Sequence, residues 1–112
     1  MERLQLGEFE ELVLQAVMVL KEEAFGVAIK RELEERLNQT LSVGSIQSAL
    51  KRMEQKGHLT SEWGEASKVR GGKRKRLYQV TSAGRAILEE MRDIRSSLWT
   101  SIKGLESSLN VG

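Results

Sequence analysis

The side chains best suited to chemistry fall in two places along the sequence. Ser45, Gln47, Ser48, Lys51 and Arg52 lie within one short stretch, and their hydroxyl, amide and cationic groups suit phosphate oxygens and base edges. Gln47 matches adenine, which offers a paired acceptor and donor, while Lys51 and Arg52 suit phosphate or guanine. Further on, Lys68 to Arg76 holds six bases in nine residues, among them Arg70, Lys73, Arg74, Lys75 and Arg76. Each group has a plainer reading. The first can be an ordinary solvated face, and the second a generic basic tract or a localisation-like run.

Other chemistries are poorly supplied. There is no cysteine, which removes disulfides, thiolate catalysis and cysteine-based metal sites together. The one histidine, His58, cannot assemble a metal site without several carboxylates, and it reads as local capping or surface. No nucleophile–base set and no phosphate-cradling motif is apparent, so an enzyme is the weakest reading and no cofactor is expected.

Charge supports a polyanionic partner. The net charge is only +2, but residues 1–39 carry nine acids and five bases, whereas residues 40–80 carry three acids and nine bases. Positive charge is thus gathered in the middle third. Hydrophobic content of 39% and charged content of 30% in 112 residues suit one globular unit. No basic segment followed by an apolar run opens the chain, and the longest apolar stretch, around Leu12 to Leu20, is short for a bilayer. A cytoplasmic location without membrane contact is expected.

The elements that must position these residues follow from periodicity. Phe9, Leu12, Val13, Ala16, Val17 and Leu20 predict a helix from about Glu8 to Lys21, with Glu8, Glu10 and Glu11 at the favourable end of its dipole. Val27, Ile29, Leu33 and Leu37 predict a second helix from Gly26 to Leu37. Ser42 is placed to cap a third, Val43 to Lys56, which Gly57 ends. Ile46, Ala49, Leu50 and Met53 form its inner face and the polar set its outer one. After Gly57 the period falls to two: Leu59, Ser61 and Trp63 predict a strand, and Leu77 to Thr81 a second, with Trp63 at the base of the hairpin. The basic run lies in the loop between them. Thr81 caps a final helix reaching Leu109, whose apolar residues Ile87, Met91, Ile94, Leu98, Ile102 and Leu105 keep to one side.

Three helices, a basic hairpin and a long helix make a mainly α fold with a small β-hairpin, the layout of a winged helix-turn-helix. The expected division is a DNA-binding unit over residues 1–81 and a C-terminal dimerisation helix over 82–112. The third helix would enter a major groove and the hairpin would reach the neighbouring backbone. The stripe on the last helix either pairs with a second copy, with helix one contributing, or folds back on helix one of the same chain. Trp99, beside that stripe, is either interface packing or one wall of a pocket for a flat aromatic effector. The competing class is a protein-interaction module whose basic loop meets an acidic surface.

Over about Leu6 to Leu98 the chain resembles the PadR-like family of bacterial winged-helix transcription regulators. Phe25-Gly26-Val27-Ala28-Ile29 is similar to the family's aromatic-Gly-x-x-Ile start of helix two. Ser42-Val43-Gly44-Ser45-Ile46, Ala49-Leu50-Lys51-Arg52-Met53-Glu54 and Gly57 resemble its recognition-helix segment. Lys75-Arg76-Leu77-Tyr78-Gln79-Val80-Thr81-Ser82-Ala83-Gly84 resembles its wing strand and the start of its last helix. The chain departs from the pattern at Gln47-Ser48, where the family often has Tyr-Pro, and in its more basic wing. Its short last helix resembles the compact subgroup. The resemblance implies a dimeric repressor of a palindromic operator, in some members released by a phenolic or drug-like compound near the dimer interface.

Overall fold

The computed structural model describes residues 6–66 and 74–110. Helix α1 (Glu8–Leu20) is followed by a single 3-10 turn (Lys21–Glu23), then α2 (Gly26–Leu37) and α3 (Val43–Gln55). Strands β1 (Leu59–Ala66) and β2 (Arg74–Val80) form an antiparallel hairpin, and α4 (Ser82–Asn110) completes the chain. Arg70 and Lys73 lie outside the described residues, and of Arg74 only the backbone is described.

α1 is the central element and touches α2, α3, β2 and α4. It can do so because Val13, Leu14, Ala16 and Val17 are all buried, a stripe wide enough to serve several neighbours. Leu14, Ile29, Ile46, Leu50 and Met53 are fully buried at its contacts with α2 and α3. Truncating any of them to alanine costs about 2–5 kcal/mol. α2 buries a narrower stripe than its apolar spacing predicts: Ile29 and Leu33 are inside, whereas Val27 is 65% exposed and Leu37 37%. It is covered on one side only, and two residues one turn apart suffice for that.

The turn between α2 and α3 is fixed by polar contacts. Asn38 adopts a left-handed conformation (φ 54°) and its N–H donates to the Glu34 carbonyl. The Glu34 carboxylate accepts from the Leu41 N–H and from Lys30 Nζ, both at 2.9 Å. These two donors hold it below the ordinary carboxylate range. α3 then starts on Ser42, whose hydroxyl accepts from the Ser45 N–H at 3.0 Å.

β2 begins at Arg74, three residues earlier than its apolar content predicts, because cross-strand pairing extends the ladder through Arg76↔Trp63. Trp63 therefore stands part-way up the hairpin, 56% exposed, and not at its base, where Leu59 pairs with Val80. The ladder is widened by the chain before α2: Phe25 bridges Leu77, and Tyr78 N–H donates to the Ala24 carbonyl at 3.0 Å.

Thr81 joins the hairpin to α4. Its Oγ1 donates to the Gly57 carbonyl at 2.7 Å and accepts from the Gly84 N–H at 3.0 Å, while its own N–H donates to the His58 carbonyl. Gly84 comes so close to that carbonyl that a Cβ would collide with it. His58 ends α3 as a local cap, its N–H donating to the Met53 carbonyl at 2.8 Å, and it is half-buried, with Nδ1 lacking a hydrogen-bond partner among the described residues. Ile87, expected on the pairing stripe, is 9% exposed and belongs to the core with Leu88, because the first turns of α4 pack back onto the body. Met91 is half-buried at the core's edge. From Arg92 to Ser108 every residue is exposed. Among the described residues no helix is long and apolar enough to cross a membrane.

Candidate nucleic-acid interface

The outer face of α3 follows from helical geometry. At 100° per residue, Gln47, Lys51, Ser48 and Arg52 spread over roughly 140° of arc, opposite the buried Ile46, Ala49, Leu50 and Met53. Gln47, Ser48 and Lys51 are exposed. They line one wall of a groove of about 430 Å³ whose other side is supplied by Arg76 and Tyr78 of β2, with Glu54 below. Gln47 lies against the start of α2, where a Cβ on Gly26 would approach its Nε2 to 3.1 Å. Lys51 has no ion-pair partner among the described residues. Residues assigned from the helix and from the wing thus meet at one groove.

Other expected contacts also have partners within the fold. Ser45 completes the cap of α3, its hydroxyl donating to the Ser42 carbonyl at 2.9 Å. Arg52 sits at the edge of the outer face, half exposed, with Nε 3.2 Å from Glu10 Oε2. Lys75 alternates to the other face of the hairpin, its ammonium 5.6 Å from the Phe25 ring centroid. Arg76 reaches the groove, but it is also braced: Nε donates to Ser61 Oγ at 2.6 Å, and the guanidinium lies 5.1 Å from the Trp63 ring centroid and 4.0 Å from Glu54.

The residues that sequence reasoning missed are Glu10 and Glu11. Both look like ordinary first-turn acids, yet they are only 5% and 7% exposed. Glu10 accepts from the Gly7 N–H at 2.9 Å and contacts Arg52 and Lys56 of the α3 end. Burial alone would raise its pKa, but these three donors outweigh that effect and leave it lowered. Glu11 meets Arg95 of α4 at 2.7 Å. No periodicity signals such pairs, since each joins residues far apart in sequence.

On α4, Ile94, Leu98, Ile102 and Leu105 are between 41% and 65% exposed, and Trp99 beside them is 59% exposed. Among the described residues no group of His, Cys, Asp and Glu is arranged to hold a metal.

Known proteins share this arrangement. A PadR-like transcription factor from Bacteroides fragilis superposes with a TM-score of 0.71, covering 93% of this chain and 95% of that one; at 21% identity the likeness is one of fold. A PadR-like transcriptional regulator from Bacillus cereus superposes with a TM-score of 0.67 at 25% identity, over 87% and 89% of the two chains. An uncharacterized protein of Lysinibacillus sphaericus is 29% identical over 87 residues, 76% of this chain and 75% of its own. The model of the PadR-like family matches residues 14–90, from the middle of α1 to the third turn of α4. With α3, the hairpin and the start of α4 all inside that match, the chain belongs to the PadR-like family of transcriptional regulators, which are not enzymes.

Proposed function

We propose that the chain works as a homodimer that binds a palindromic operator and represses transcription by occupying it. The groove shared by Gln47, Ser48 and Lys51 of α3 with Arg76 of β2 carries this reading. It puts amide, hydroxyl and cationic donors on one protruding helix with a cation-bearing strand beside it, the combination that reads base edges and grips the flanking backbone. Arg70, Lys73 and Arg74 add phosphate contacts from the wing. Ser45, Arg52 and Lys75 serve chiefly to shape the interface.

Pairing is through the free part of α4. Ile94, Leu98, Ile102 and Leu105 keep a continuous apolar face that one chain leaves uncovered, and a second copy is its natural cover. Two copies of α3 then meet successive major grooves about 34 Å apart. Trp99 of each copy comes to the pairing region, where a flat aromatic effector would stack and release the DNA.

The test is binding of the full chain to the DNA upstream of its own coding sequence, against a scrambled duplex, at two salt concentrations. Preference for the upstream duplex, with affinity falling steeply as salt rises, is expected. Equal affinity for both duplexes removes the specific-operator reading. No binding at low salt favours docking onto another protein.

A further inference from the structure

We infer that Glu10 and Glu11 are positioning residues, which couple α4 to the DNA-reading helix α3 through the first turn of α1. The inference rests on the proposed reading of α3 and adds the route by which events on α4 reach it.

The geometry is specific. Neighbouring residues on a helix point about 100° apart, so two adjacent carboxylates can serve two different partners. Glu10 faces the end of α3, where Arg52 Nε and Lys56 Nζ approach to 3.2 and 3.1 Å. Glu11 faces α4, where Arg95 approaches to 2.7 Å. Both carboxylates are buried, whereas Arg52 and Arg95 are about half exposed.

That asymmetry makes the contacts positional. Apolar burial is non-directional and singles out no one partner atom. A buried carboxylate does, because losing its cation leaves an uncompensated charge away from water. If α4 shifts and carries Arg95 away, the low-energy response is for α1 to follow. The same turn then draws on Arg52 and Lys56, and with them on the outer face of α3. α4 is well placed to be shifted, since everything beyond Arg95 to Ser108 is exposed and open to a second copy or a ligand. The coupling is reciprocal: DNA that moves α3 must bias α4 by the same free energy.

The test uses the full chain and a duplex recovered from random-sequence DNA by binding to it. Affinity, its salt dependence, the active fraction by stoichiometric titration and the sedimentation coefficient are measured for Glu11→Gln, Arg95→Gln and the double variant, with Lys51→Ala as a groove control. Glu11→Gln and Arg95→Gln should each weaken binding about five- to tenfold, the low end of site-to-site coupling, and the double variant no more than either. Their salt slope, active fraction and sedimentation should match the parent chain, whereas Lys51→Ala should lower the slope by about one. Unchanged affinity in the Glu11 and Arg95 variants, with Lys51→Ala still weakened, overturns the coupling and leaves DNA reading intact. A loss that tracks the active fraction or a changed sedimentation coefficient also overturns it, because the pair would then act only on folding or assembly. If Lys51→Ala has no effect either, the α3 reading itself fails, and the coupling falls with it.

Discussion

The guanidinium of Arg76 donates to Ser61 Oγ at 2.6 Å across the hairpin, and Ser61 in turn donates to Glu54 of α3 at 2.8 Å. The wing is therefore tied to the reading helix by a chain of hydrogen bonds, and the Trp63 ring backs the cation at its end. A hairpin held only by the packing of Leu59 and Tyr78 would be freer to swing about its base.

Arg76→Ala should consequently weaken DNA binding more than the loss of one phosphate contact would, by roughly tenfold or more. Arg76→Lys keeps the charge but not the planar donor and should recover only part of it. Thermal stability should change by less than ~1 kcal/mol, because the side chain is 42% exposed. Full recovery of affinity by the lysine variant would reduce Arg76 to a simple charge.

Pairing through α4 predicts that Leu98→Asp abolishes self-association. Leu98 is 60% exposed in the single chain, so the packing within the winged body should be unaffected, and any fall in stability should reflect only the lost pairing. Sedimentation at micromolar concentration should show one copy in place of two. Affinity for a two-half-site duplex should fall about a hundredfold or more, as the second contact is no longer tethered to the first. A variant that still sediments as two copies would place the interface elsewhere.

His58 makes stability depend on pH near neutrality. Its burial lowers the imidazole pKa, the Lys56 charge lowers it further, and Glu10 opposes only in part. In the unfolded chain the ring takes up a proton near its ordinary 6.5, while in the fold it does so only at lower pH. This contribution is complete above that pH and is lost as pH falls through 6.5 towards the folded value. Glu10 and Glu34, both held low, do not titrate in the same window. The melting temperature should decline between roughly pH 7 and pH 5.5, and His58→Gln should flatten the decline. Parallel curves for the two proteins would show that His58 protonates freely in the fold.

Thr81→Val removes a helix cap and a bond to Gly57 at one stroke while keeping the shape of the side chain. Urea unfolding should report a loss of about 1–2 kcal/mol with an unchanged dependence on denaturant. A much smaller loss would mean that water satisfies both groups equally well.

The order of elements is legible in the residues because local signals agree: the apolar periods of α1 and α3, Ser42 and Gly57 at the ends of α3, and Thr81 ahead of α4. α2 runs from Gly26 to Leu37 as its spacing predicts. What escapes local reading is set by distant partners. β2 takes in Arg74 to Arg76 because Arg76 pairs with Trp63 and Arg74 with Ala66 across an irregularity, although three successive bases carry no strand signal. Ile87 and Leu98 share one stripe, yet only the first meets the body. Arg52 looks like one more cation on an outer face until Glu10, forty-two residues earlier, is brought beside it. The groove is thus half legible: Gln47, Ser48 and Lys51 follow from α3 alone, whereas Arg76's place depends on strand pairing.

The tight approach of Gly84 to the His58 carbonyl has an evolutionary corollary. Position 84 has no freedom to drift, since even a methyl group would prise the long helix from the joint beneath it. Gly104, with open space around it, is under no such restraint. Substitutions at the far end of the arm can therefore be accommodated far more readily than any at the joint.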